Sequence, residues 1–137
     1  MDNFNFVLPY SVRVADVNYG GHVANSAVLD YFQDARIAYL KHLGGYSELA
    51  IGENRGMILA DAQVRYRREM FLGDLLRIGV KIVELSASRF VMVYAIERAE
   101  EVVVEGTTQL VAFDYQKRRP CRLPEAFRAA VEAFEKI

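Results

Sequence analysis

The chain has 137 residues, a length that one domain over 1–137 accounts for. Hydrophobic residues make up 53% and charged residues 26%, which argues against disorder, and 18 acidic against 17 basic residues leave a net charge of −1. That balance gives no basic excess for nucleic acid. One cysteine, Cys121, excludes an internal disulfide and a cysteine-based zinc site, and with only His22 and His42 besides no metal is expected. No run of about 18 apolar residues is present, so no membrane span is expected. The segment Met1-Asp2-Asn3-Phe4 lacks the basic and apolar regions of a secretory signal, so the expected location is the cytoplasm.

In chain order, Phe6 to Asp16 reads as a strand, with Val12, Val14 and Asp16 on one face and Asn18 continuing it. Asn18-Tyr19-Gly20-Gly21-His22 reads as a loop. Asn25 or Ser26 suits the cap of a helix over Ala27 to Leu43. Apolar residues cover most of that helix, and Asp30, Asp34 and Lys41 fall within about 40° of each other, a narrow polar stripe. Such a helix is expected to be buried. Gly44-Gly45 ends it.

Beyond a loop at Gly52 to Gly56, the period changes to that of strands. Met57–Arg67, Leu75–Leu85, Arg89–Arg98 and Val102–Tyr115 are rich in Val, Ile, Phe and Tyr, with short links that favour antiparallel hairpins. Met57, Leu59 and Asp61 share a face by simple alternation. After Pro124, Phe127, Ala130, Val131 and Phe134 mark a short last helix. The expected class is α+β: one long antiparallel sheet covering one very apolar helix. The uncovered sheet face and its edges point to a homodimer or homotetramer, with Val102–Tyr115 as the candidate edge.

The loop before the buried helix holds the candidate chemistry. Free N–H groups at a helix start stabilise an oxyanion forming on a carbonyl. A carboxylate facing them acts as base or nucleophile on the same carbonyl, an apparatus for acyl transfer or hydrolysis that needs no cofactor. Candidates for catalysis are Asp16, Asn18, His22, Asn25 and Asp61, the last breaking an apolar strand and reaching the site from a neighbouring subunit. Tyr19, Gly21, Tyr31 and Arg68 are candidates for substrate binding. Each has a structural alternative: loop hydrogen bonding for Asp16, Asn18 and His22, and a charged outer sheet face for the arginines. Asp34 belongs to the polar stripe, and Cys121 is incidental.

The segment Arg13-Val14-Ala15-Asp16-Val17-Asn18-Tyr19-Gly20-Gly21-His22-Val23-Ala24-Asn25 resembles the signature D-x-D-x-x-G-H-V-N-N of hotdog-fold acyl-CoA thioesterases of the 4-hydroxybenzoyl-CoA thioesterase type. Tyr31-Phe32-Gln33-Asp34-Ala35-Arg36 resembles that family's Y-F-E-E-A-R. Tyr66-Arg67-Arg68, Gly73-Asp74, Val111-Ala112-Phe113-Asp114 and Arg119-Pro120 through Leu123-Pro124 extend the resemblance from Val12 to Pro124. It implies a hotdog fold, a long helix wrapped by an antiparallel sheet of about five strands, and hydrolysis of a small acyl-CoA or acyl-carrier thioester. It also implies that the Asn25 N–H polarises the thioester carbonyl. The family's usual catalytic aspartate is replaced by Asn18, and Asp16, two residues away, is the candidate substitute. Arg68, or Lys117-Arg118-Arg119, would hold the coenzyme A phosphates.

Two other readings compete. Hotdog acyl-CoA hydratases and dehydratases carry Asp-x-Asn-x-x-His, which Asp16, Asn18 and His22 match with one residue too many and before the central helix instead of after it. Loss of the aspartate also fits a non-catalytic acyl-thioester binding protein.

Overall fold

The computed structural model describes residues 1–137. The chain runs through β1 (Phe6–Ser11), a 3-10 turn (Val14–Asp16), α1 (Ala27–Gly44), β2 (Gly56–Tyr66), β3 (Leu75–Leu85), β4 (Arg89–Arg98), β5 (Glu101–Asp114), β6 (Arg119–Pro120) and α2 (Glu125–Glu135). The main sheet has the order β1-β3-β4-β5-β2, antiparallel throughout, with the two-residue β6 paired to the end of β5. This is the hotdog arrangement, with α1 as the helix that the sheet wraps.

The core lies between α1 and the inner sheet face. Tyr31, Ala35 and Leu40 are 0% exposed, as are Ile78, Val80, Met92, Tyr94 and Leu110 opposite them. Burying each large apolar side chain contributes roughly 1.5–3 kcal/mol. The end of α1 is closed by Gly45 at φ 73, whose N–H donates to the Lys41 carbonyl while Tyr46 N–H reaches that of Leu40. Only a glycine adopts this backbone without strain. At the helix start, Ser26 occupies the cap position in helical conformation and its side chain caps nothing.

Three expectations are corrected. The first strand stops at Ser11, and Val14–Asp16 forms a 3-10 turn, so Asp16 and Asn18 do not share a strand face. Arg13 and Asp16 close that turn through a reciprocal pair of bonds that a strand would not permit. Second, β5 lies inside the sheet and the edges are β1 and β2. Third, β2 carries a bulge between Leu59 and Asp61, with Leu59 opposite Leu110 and Asp61 opposite Gln109. The extra residue, Ala60, reverses the alternation beyond it. Met57 and Leu59 point to the helix side, Asp61, Gln63 and Arg65 to the outer face, and Ala62, Val64 and Tyr66 back to the helix side. The helix is also less enclosed than expected, since Leu29, which shares a groove with Leu59 of β2, and Ile37 remain 43% and 47% exposed. No helix is long and apolar enough to cross a membrane.

Candidate active site

The segment from Val12 to Asn25 is tied down by its own main chain. Val12 N–H donates to the Asp74 carbonyl and Val23 N–H to that of Met70, fixing the loop to the β2–β3 connection. Asn18 closes the tip: its Oδ1 accepts the Gly20 N–H at 2.9 Å, its carbonyl accepts Gly21 N–H, and its own N–H donates to the His22 carbonyl. Gly21 stands at φ +86, which disfavours any side chain there.

Asp16 is buried and fully engaged. Its Oδ2 accepts the Arg13 N–H at 3.1 Å and the Tyr31 hydroxyl at 2.8 Å, and the Arg13 guanidinium reaches both carboxylate oxygens at 3.2 Å. Burial raises the affinity of this carboxyl for a proton, but the donors from Arg13 and Tyr31 outweigh burial and hold it below the usual carboxylate range. The Asp16 carbonyl accepts the Ala24 N–H, so the same residue braces both sides of the loop.

Four of the expected residues come together at the start of α1. His22, Asn25 and Arg68 line one cleft of about 310 Å³ with Val28, Tyr66 and Glu69, and Asn18 closes the loop beside it. His22 is half-buried; its Nδ1 lies 3.0 Å from the Val23 carbonyl, which accepts a hydrogen bond only from a protonated Nδ1. In the neutral ring this leaves Nε2 as the lone-pair nitrogen. The N–H groups of Asn25 and Ser26 serve no main-chain acceptor, whereas Ala27 N–H is turned back to the Ala24 carbonyl. The Tyr66 hydroxyl donates to the Asn25 carbonyl at 2.8 Å and so holds this peptide in place.

The other expected residues lie elsewhere. Tyr19 is wholly exposed on the loop tip. Tyr31 is 0% exposed and its hydroxyl is spent on Asp16, so it belongs to the core. Asp61 faces the outer surface because of the bulge. Arg68 is exposed and pairs with Glu101 at 3.4 Å, and Arg67 pairs with Glu105. Lys117 and Arg118 sit on the β5–β6 turn and Arg119 opens β6; Asp114 Oδ1 accepts the N–H groups of Gln116 and Lys117. Burial pushes the Cys121 thiol up, away from reactivity. Tyr66 was not among the expected site residues; its place ahead of Arg67-Arg68 was the available signal. A larger hollow of about 510 Å³ lies on the outer sheet face, remote from the helix start and its free N–H groups.

A family profile described as the thioesterase-like superfamily matches residues 12–131. The chain belongs to that superfamily. Among relatives of this thioesterase-family chain, the acyl-CoA thioesterase YbgC of Haemophilus influenzae is 24% identical over 131 residues, covering 95% of this chain and 96% of its own. A thioesterase of Thermus thermophilus, solved with coenzyme A and zinc, is 30% identical, with a TM-score of 0.85 over 100% of this chain and 98% of its own. A 1,4-dihydroxy-2-naphthoyl-CoA thioesterase of Synechocystis, 22% identical, shares the fold at a TM-score of 0.80 over 92% of this chain and 94% of its own. In this thioesterase-family hotdog protein, no three His, Cys, Asp or Glu side chains gather in a metal-binding group.

Proposed function

We propose that this chain hydrolyses acyl-CoA thioesters at the start of α1. The observation that carries the reading is the pair of free N–H groups, Asn25 and Ser26, at the helix start, with Asn25 lining the same cleft as His22. The thioester carbonyl oxygen accepts from this pair. His22 Nε2 takes a proton from a water molecule, and the resulting hydroxide adds to the carbonyl carbon. The tetrahedral oxyanion is held by the two N–H groups until the carbon–sulfur bond breaks. The proton on Nε2 then passes to the departing thiolate, giving the free acid and coenzyme A. No cofactor is needed for any of these steps.

In this reading His22 supplies the base that the family's aspartate would supply at position 18. Asp16 shapes the loop, since four donors already occupy its carboxylate. Asn18 holds the turn that presents His22. Arg68 at the cleft rim contributes positive charge toward the coenzyme A phosphates. A second copy of the chain covers the free edge of β2 and the exposed Leu29 and Ile37, making a homo-oligomer whose mass light scattering would report.

The test is thiol release from a panel of acyl-CoA thioesters by the wild type and His22→Gln. Turnover by the wild type that collapses in the variant supports the reading. Binding across the panel without turnover overturns it in favour of an acyl-thioester binding protein.

A further inference from the structure

The hollow on the outer sheet face measures about 510 Å³, the size of a small-molecule site. Strand register builds its floor. Gln63 of β2, Thr107 of β5, Val93 of β4 and Lys81 of β3 stand side by side in one row across four strands. Arg65, Glu105, Ala95 and Gly79 make the next row. Both rows point away from α1, because the alternate residues Val80, Tyr94 and Thr108 are buried on the helix side.

The segment ahead of β1 walls the β3 end. A Cβ at Gly79 would stand 2.6 Å from the Phe4 ring, so the glycine is what lets that ring lie on the strand. Lys81 Nζ donates to the Asn3 carbonyl at 3.2 Å and stands 5.0 Å from the centroid of the Phe4 ring.

The charges of the hollow do not balance. Glu97 pairs with Arg77 at 3.4 Å. Glu105 faces Arg65 across the strands but is taken by Arg67, which leaves Arg65 without a carboxylate. The partners of Lys81 are a carbonyl and a ring, both uncharged, and two of its three donors stay open. Arg65 lies on β2 and Lys81 on β3, three strand spacings or ~14 Å apart. Between them the floor is Thr107, Val93 and Ala95. The same face of a second copy would set two unmatched cations against two more, which is repulsive.

From this arrangement we infer that the hollow binds an elongated organic dianion of the linear α,ω-dicarboxylate class. One carboxylate meets the Arg65 guanidinium, whose planar fork suits it, and the other meets Lys81. The apolar middle lies over Val93 and Ala95. The site is separate from the cleft at the start of α1 and does not depend on the hydrolysis proposed there.

The test is calorimetric titration of the full chain with decanedioate, decanoate and 1,10-decanediol. Decanedioate is expected to bind about fivefold more tightly than decanoate, the return of one good exposed ion pair, and the diol more weakly than either. Arg65→Gln and Lys81→Gln are each expected to bring decanedioate to the level of decanoate while thioester turnover is unchanged. Val93→Asp, which sets a negative charge on the floor, is expected to abolish binding. Equal affinity for decanedioate and decanoate overturns the inference, as does decanedioate binding that Arg65→Gln and Lys81→Gln leave intact. A particle mass by light scattering that halves in Val93→Asp shows a second copy on this face instead, and also overturns it.

Discussion

The hydroxyl of Tyr66, the last residue of β2, donates to the main-chain carbonyl of Asn25 at 2.8 Å, joining the end of a sheet edge to the start of the central helix. The bond acts on the peptide next to the two free N–H groups. Tyr66→Phe is therefore expected to lower kcat several-fold while KM for the same acyl-CoA changes little. The ring is half-exposed, so stability falls by only about 0.5–1 kcal/mol. Steady-state kinetics and a denaturant melt measure both, and a change confined to KM contradicts this role.

In the proposed mechanism His22 accepts a proton and returns it within a turnover, in a cleft that the carboxylate of Glu69 also lines. Replacement of His22 by Gln is expected to lower kcat by about 10²–10⁴-fold with the fold retained. Steady-state thiol release measures the loss. Activity that persists in the variant would remove His22 from the mechanism.

The oxyanion donors belong to the main chain, so the identity of side chain 25 matters less than its N–H. Asn25→Ala is expected to keep kcat within a few-fold of the wild type. Asn25→Pro deletes one donor and is expected to cost about 10²–10³-fold in kcat. Measuring the two variants side by side separates a main-chain role from a side-chain one.

The loop itself carries a pH dependence. The Asp16 carboxyl is held low in the folded chain, so it contributes stability that is present above the carboxylate's unfolded range, near pH 4, and is lost as pH falls through its lower folded value. The Tyr31 hydroxyl shifts the opposite way: burial and its bond to Asp16 push it up, so its contribution is complete below about pH 10 and is lost only above. Thermal melts from pH 7 down to pH 3 should show a steeper loss in the wild type than in Asp16→Asn. The variant should be less stable at pH 7, because it cannot satisfy Arg13 and Tyr31 together.

Much of the fold was legible in the sequence because burial imposes a period. The expected helix over Ala27 to Leu43 is observed as Ala27–Gly44, and Leu75–Leu85 and Arg89–Arg98 are observed as expected. The strand ends at Arg67 and Tyr115 each moved by one residue. What escaped were features that periodicity does not encode. A 3-10 turn closed by Arg13 and Asp16 has no hydrophobic signature, so Asp16 read as the end of a strand. The strand order, which puts β2 at an edge and β5 inside, depends on long-range pairing. The bulge at Ala60 adds one small residue to an otherwise regular strand, which is why Asp61 read as sharing a face with Met57 and Leu59.

That same bulge decides the parity of everything after it. With Ala60 bulged out, odd positions from Asp61 to Arg65 turn outward and Tyr66 meets the helix; were Ala60 paired as a regular strand residue, Arg65 would take the inward place and Tyr66 the outward one. The vulnerable property of this strand is thus its register more than its chemistry. Deleting Ala60 leaves each neighbour on its own side and straightens the strand, whereas drawing that one alanine into the ladder exchanges every side chain between the bulge and the active-site tether while altering none of them.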